Sequence, residues 1–390
     1  MSEETTKDEN LAAGETEIRA TLKAAQETSK AIEADIAAGN VGKYRILTGD
    51  RPTGFLHIGH YFGTLKTRVD LQNLGIDTTV LIADYQVITD RDNLGNVREY
   101  VLNLVADYLA AGIDPEKSTI FCHSQIPAIH EMLVIFLSLV TEAELHRNPT
   151  VKAELEAAAR PMSGLLLTYP VHQAADILCA KANLVPVGQD QLPHLEQTRV
   201  VAKRFNKRYP QRDPQTGKKT GRGVLPMAQG LLGQGAMILG TDGQKMSKSR
   251  HNTVELRASE DDTAKILKKA VTDSDRQITF DPVHRPEVSN LLLIASLCTG
   301  QAPEDIAAEI GAGGGGALKS LVTQALNEHL RPLRQRRAEL MQDEGYLWSV
   351  LARGNEKVRD EASDVLREMK AAMGMNYGVG WNRTTRSQRT

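Results

Sequence analysis

Between Lys43 and about Thr241 the chain alternates short β-rich apolar runs with helical patterns, and no other feature restricts its possible folds so strongly. The strand candidates are Tyr44 to Thr48, Thr79 to Asp84, Thr119 to His123, Leu184 to Val187 and Met237 to Leu239, and helical stretches fill the gaps between them. Such alternation predicts an α/β fold built on a doubly wound parallel sheet, in which ligands bind at the C-terminal ends of the strands.

After about Ser259 the strand signals vanish, and Asp261 to Ala270, Leu318 to Gln342 and Tyr346 to Met373 read as helices. The predicted organisation is an α/β domain over 43–258 followed by an all-helical C-terminal domain over 259–375 and a basic tail over 376–390. Residues 1–42 form an N-terminal extension that ends in the helix stop Gly39-Asn40-Val41-Gly42. Within it Ile18, Leu22, Ala25, Ile32 and Ile36, with Ser29 filling the gap, mark one amphipathic helix. The stripe is short for a coiled-coil seam, which favours a helix docked on the body of the protein. The run Gly311 to Gly316 reads as a flexible connection. The loop Tyr209 to Gly223 carries Arg212, Lys218, Lys219 and Arg222; it is either solvated or laid against RNA phosphates.

A chain of 390 residues with 41% hydrophobic and 25% charged side chains can bury a sizeable core. Its formal charge of -2 offers no global attraction to polyanions, so any nucleic-acid contact must come from local basic patches. Cys122, Cys179 and Cys298 are scattered without metal-ligand spacing, which suits buried reduced thiols. Met1 to Asn10 is acidic and polar, unlike a secretory signal, and no run approaches the length of a membrane span. A cytoplasmic protein without a membrane partner is expected.

Two segments carry chemistry. In Leu47-Thr48-Gly49-Asp50-Arg51-Pro52-Thr53-Gly54-Phe55-Leu56-His57-Ile58-Gly59-His60, a turn-rich stretch leads from a strand into a helix. A helix N-terminus favours phosphate through its unpaired N–H groups and positive dipole end. Gly59 leaves room for a flat base or a close backbone, and His57 and His60 lie on one face of the first turn. Both imidazoles can donate to phosphate oxygens and stabilise charge developing at an α-phosphate. The second segment, Lys245-Met246-Ser247-Lys248-Ser249, places two lysines and two hydroxyls on a loop that could close over a triphosphate. Either segment alone reads more simply as surface histidines or a solvated turn; both together, in this order, do not.

The two segments resemble the HIGH and KMSKS signatures of the class I aminoacyl-tRNA synthetases without a change. That resemblance implies a Rossmann-type catalytic domain, an aminoacyl-adenylate intermediate, Mg²⁺ brought with the ATP, and transfer to tRNA. It marks His57, His60, Lys245 and Lys248 as catalytic.

The middle of the chain narrows the branch. Tyr169, Gln173 and Asp176 fall at four- and three-residue steps within Gly164 to Leu178, lining one helical face with a ring, an amide and a carboxylate. A buried aspartate can accept from an indole N–H, which is donor only. Each residue alone also fits a buried helix with an internally paired Asp, and Asp190 also fits a helix cap. The stretches Thr168-Tyr169-Pro170, Ala174-Ala175-Asp176-Ile177 and Val185-Pro186-Val187-Gly188-Gln189-Asp190-Gln191 resemble those of the tryptophanyl-tRNA synthetases, and the likeness runs with gaps from about Lys43 to Met373. It implies that Asp176 reads the indole nitrogen, that Tyr169 and Gln191 hold the amino-acid group, and that Gln173 and Leu47 complete the tryptophan pocket. It assigns ATP to Arg51, Pro52, Thr53, Gly59, His60, Gly188, Gln189, Asp190, Lys245, Met246, Ser247, Lys248 and Ser249. A homodimer acting on tRNA(Trp) and L-tryptophan, with its helical domain meeting the anticodon, follows from the same resemblance.

His57 to His60, Arg51, Leu47 and Gln173 depart from many bacterial members, and Thr48 to Gly54 with His60 and Gln173 resemble the divergent second form that some bacteria carry beside a housekeeping copy. Three alternatives stand beside this reading: a tyrosyl-tRNA synthetase, a non-catalytic tRNA-binding relative, and a small-molecule nucleotidylyltransferase.

Overall fold

The computed structural model describes residues 22–89, 94–158, 161–188, 191–213, 216–232, 237–247 and 250–377. After helix α1 (residues 22–37), five strands form one parallel sheet: β1 (Arg45–Asp50), β2 (Asp77–Ile82), β3 (Ser118–Cys122), β4 (Leu184–Val187) and β5 (Gln229–Leu232), in the order β3-β2-β1-β4-β5. Helices separate the strands: α2 (Ile58–His60), running through a π-helical turn (Tyr61–Leu65) into α3 (Lys66–Asn73), then α4 (Val97–Ala111), α5 (Pro127–Leu137), α6 (Glu142–Arg147), α7 (Pro149–Ala158), α8 (Gly164–Cys179) and α9 (Leu192–Arg208). β2 buries Val80, Leu81 and Ile82, and β3 buries Ile120 and Phe121, because helices cover both faces of the sheet. The fold class expected from the sequence, a Rossmann-type doubly wound sheet followed by helices, is the one observed.

The fifth strand is a correction. Met237 to Leu239 is not a strand; Leu239 makes only an isolated bridge to Lys245, and its backbone N–H and C=O pair with the Asn290 side chain instead. The real strand, Gln229-Gly230-Leu231-Leu232, has weak intrinsic β-preference and exists because it pairs with β4 along its whole length. Its outer edge is covered by α1, where the Ser29 hydroxyl accepts from Leu232 N at 2.9 Å. α1 also packs Ile32 and Ile36 onto Tyr44, Ile46 and Leu231.

Past the sheet come α10 (Glu260–Lys268), α11 (Pro286–Thr299), α12 (Pro303–Ile310), α13 (Gly314–Leu340) and α14 (Glu344–Ala372). The glycine run is a second correction: Gly311–Gly313 is a 3₁₀ turn, and Gly314-Gly315-Gly316 opens α13, held by Gly314 N donating to Arg276 O. The last helix lies along the other sheet edge. Asn355 Oδ1 accepts from Cys122 N at 2.9 Å, and Gly354 comes so close to Ile120 that any side chain there would strike the strand's carbonyl. Leu326, Leu330 and Val350 of these helices share one buried cluster with Val80, Ile82 and Ile120 of the sheet.

Among the described residues, no helix is long and apolar enough to cross a membrane. Cys122 and Cys179 are buried free thiols, and burial pushes the half-buried Cys298 thiol up to about 12.

Candidate active site

The order β3-β2-β1-β4-β5 reverses direction between β1 and β4, and a crevice must open at the carboxyl ends of those two strands. A cavity of about 610 Å³ occupies that place. It gathers Leu47, Arg51, His57, Gly59, His60, Tyr169, Gln173, Asp176, Gly188, Gln191, Lys245 and Met246 from segments far apart in the chain. Of the other residues singled out from sequence, Pro52, Thr53 and Ser247 are not among those lining it. Gln189, Asp190, Lys248 and Ser249, together with the tail from Gly378, lie outside the described residues.

The first signature is held at both ends. Ahead of it, Thr53 N donates to Arg51 O and Gly54 takes a φ of +138°, a left-handed conformation that glycine tolerates and other residues rarely adopt. His57 is extended at the N-cap of α2, its N–H donates to His60 Nδ1, and the two rings stand 3.8 Å apart between centroids. Backbone bonds Ile58 N to Val254 O and Leu256 N to Leu56 O, both 3.0 Å, strap this turn to the segment that follows the second signature. A side chain at Gly59 would press on the His57 ring and on Met246 Sδ, so the two signatures are in contact over this residue. Asp107 of α4 accepts from Leu56 N–H and from Arg337 Nε of α13 at 2.6 Å, linking the C-terminal helices to the turn.

Beside the cavity, Asp50 accepts from Arg68 Nη1 at 2.5 Å and from the Tyr108 hydroxyl at 2.7 Å. Burial opposes the Asp50 anion, but the Arg68 guanidinium outweighs it and holds the carboxyl far below its ordinary range.

The second signature hangs on Asn252, which is buried. Its amide donates to Asp242 Oδ1 at 2.7 Å and to Lys245 O at 3.1 Å, and its Oδ1 accepts from Ser247 N at 2.8 Å. Lys245 is thereby fixed at the cavity while its side chain stays on a loop.

The third group comes from α8. Tyr169, buried, sets its phenol oxygen 3.2 Å from His194 Nε2, and burial together with Glu154 pushes that phenol well above its ordinary pKa. Asp176, only 1% exposed, lies on the same face, with Leu47, Leu81, Ile177 and Val185 forming apolar walls around it. Its carboxylate accepts from His123 Nδ1 at 3.1 Å. An apolar slot ending in a buried acceptor fits a flat ring with one polar hydrogen.

Sequence reasoning missed Asp50, Gln86, His123, Glu154, His194 and Asn252. His123 carried a usable signal, because it ends a strand candidate on the side where ligands bind. Asn252 carried none: its partners Asp242, Lys245 and Ser247 lie within ten positions, but nothing sets it apart from an ordinary loop asparagine.

A parallel sheet with both signatures at its switch point defines a class I adenylating domain. The family described as tRNA synthetases class I (W and Y) matches residues 40–331, and the chain belongs to it. A tryptophan–tRNA ligase of Clostridium longisporum is 39% identical over 349 residues, covering 86% of this chain and 98% of its own. One from Lactococcus lactis is likewise 39% identical, over 86% and 99%. The tryptophanyl-tRNA synthetase of Campylobacter jejuni, solved with ADP and tryptophan, superposes with a TM-score of 0.72 at 30% identity, covering 85% of this chain and 99% of its own. Within the family the chain therefore falls on the tryptophan branch. A tyrosyl-tRNA synthetase of Archaeoglobus fulgidus, at 20% identity and a TM-score of 0.58, shares the fold.

Proposed function

We propose that this chain is a tryptophan–tRNA ligase that forms tryptophanyl-adenylate and pyrophosphate from L-tryptophan and ATP, then passes the tryptophan to tRNA(Trp). The observation that carries the reading is the meeting of Asp176, His60 and Lys245 at one cavity that also has an apolar slot. The indole enters between Leu47 and Val185, and its N–H donates to Asp176. Gln173 borders the ring, and Tyr169 with Gln191 holds the amino-acid group. Arg51, Gly59 and Gly188 hold the adenosine and α-phosphate together with Gln189 and Asp190, Pro52 and Thr53 set the turn that carries Arg51, and Met246, Ser247 and Ser249 belong to the signature that binds the triphosphate.

The tryptophan carboxylate is already ionised at neutral pH, so its in-line attack on the α-phosphate needs positioning and charge stabilisation, not a general base. His57 and His60 stabilise charge on the α-phosphate, and Lys245 and Lys248 draw off the pyrophosphate. Mg²⁺ travels with the ATP, held by its phosphate oxygens.

The helical part over 259–375 and the exposed basic loop at Arg212, Lys218 and Lys219 are the surfaces offered to tRNA. A homodimer is supported by the exposed apolar side chains of Tyr85, Ile88 and Val134, near one another across the Tyr85–His130 ring contact. A cytoplasmic location suits this activity.

Pyrophosphate exchange into ATP with a panel of amino acids tests the reading. Exchange with tryptophan is expected, and exchange with tyrosine but not tryptophan would overturn it.

A further inference from the structure

Behind Asp176 stands a group of side chains to which the reaction assigns no role: His123, His130, His172 and Tyr85. His123 and His172 are fully buried, and their rings stack at 4.8 Å with an angle of 19°. Tyr85 and His130 pack against this stack at its rim. His123, His172 and Asp176 bring ligand-type atoms within 4.8 Å of one another, as in a metal site. The stacking argues otherwise, because in-plane lone pairs of nearly parallel rings cannot converge on one ion.

Hydrogen bonding explains the arrangement better. Tyr85 N donates to His123 Nε2 at 2.9 Å, so Nε2 carries no hydrogen and the ring proton sits on Nδ1. Nδ1 lies 3.1 Å from Asp176 Oδ1 and 3.4 Å from Oδ2. Among the described residues, no other side chain donates to this carboxylate. His172, whose Nδ1 faces Gln86 Nε2 at 3.0 Å, holds the plane of the His123 ring by stacking.

We propose that His123 is a positioning residue for amino-acid selection, orienting the Asp176 carboxylate so that its oxygen accepts the ring N–H of the substrate. The proposal rests on the tryptophan reading given above. Without that donor the carboxylate is free to rotate, and its oxygen is no longer aimed at the ring N–H. It would then no longer favour a ring that carries N–H over an isostere that lacks it.

The same geometry gives the selection a pH dependence. The groups facing His123 are Asp176, Asp84 (its Oδ1 3.5 Å from Nε2), the imidazoles of His130 and His172, and the Tyr85 phenol. Burial disfavours a His123 cation, but the Asp176 and Asp84 carboxylates outweigh it and raise the imidazole above its ordinary pKa. The second proton must enter at Nε2, displacing the Tyr85 N–H in favour of Asp84. The resulting cation lies against Asp176 and weakens it as an acceptor, so KM for tryptophan rises as the pH falls through this titration.

The test is pyrophosphate exchange by the full chain and by His123→Phe and His123→Gln, with tryptophan and with benzothienylalanine, in which sulfur replaces the N–H, from about pH 5.5 to about pH 8.5. His123→Phe should raise KM for tryptophan roughly ten- to a hundredfold, change kcat less, and narrow the preference over benzothienylalanine. The amide of His123→Gln can accept from Tyr85 N and donate to Asp176; it should recover most of the KM and abolish its rise in acid. Wild-type KM and preference in His123→Phe, equal damage in both variants, or an acid rise that persists in His123→Gln would each overturn the role of His123. A wild-type chain that fails to activate tryptophan would overturn the functional reading and this role with it.

Discussion

The Arg68 guanidinium of α3 donates to the Asp50 carboxylate at the end of β1 across 2.5 Å, tying the helix behind the first signature to the strand in front of it. Arg68 is 3% exposed, so removing one partner strands a buried charge. Arg68→Met should cost about 3–5 kcal/mol of unfolding free energy in urea titrations. Because the Asp50 pKa is depressed in the folded state, its contribution is present above the unfolded value of about 3.9 and is lost as pH falls below it. The wild type should therefore lose stability in acid more steeply than Arg68→Met, and parallel curves would refute the assignment.

Asp107 should show the opposite dependence. Burial raises its carboxyl to about 6 despite the Arg337 guanidinium 2.6 Å away. A raised folded pKa contributes stability that is complete below the unfolded value of about 3.9 and is lost as pH rises through the folded value. The stability gap between the wild type and Asp107→Asn should thus narrow from about pH 4 to about pH 6. Chemical denaturation at those two pH values checks it, and a widening gap would mean that the Arg337 charge outweighs burial.

Lys245 and Asn252 divide the work of the second signature. Lys245→Ala should slow single-turnover adenylate formation roughly a hundredfold while tryptophan Kd changes little. Asn252→Ala leaves the lysine in place but removes the bonds that hold its loop. It should slow the same step roughly tenfold or more through misplacement. Equal losses in rate and in tryptophan affinity would count against both roles.

Asp176→Asn keeps the shape of the slot and removes the charge. The kcat/KM for tryptophan should drop roughly ten- to a hundredfold, as expected for a hydrogen bond to an ionised group. Exchange assays with tryptophan and its analogues measure this, and an unchanged preference would show that another group reads the ring.

Four of the five strands were legible from apolar runs, because a parallel strand buried on both faces advertises itself in composition. Both signatures and the α8 stripe of Tyr169, Gln173 and Asp176 were legible for a similar reason: their chemistry lies in residues near one another in sequence. β5 was not legible, since Gln229-Gly230-Leu231-Leu232 becomes a strand through its pairing with β4 and the cover of Ser29.

By itself, then, the sequence determined the α/β class, the two signatures and the stripe of Tyr169, Gln173 and Asp176 on α8, all of which depend on local periodicity or short spacing. Only the tertiary structure decided which groups stand behind them. His123 reaches Asp176 across 53 positions, Arg337 reaches Asp107 across 230, and Cys122 meets Asn355 across 233. No local pattern encodes such pairings; they arise where the burial of separate helices and strands brings polar groups together with no water between them, so that each must find its partner within the protein.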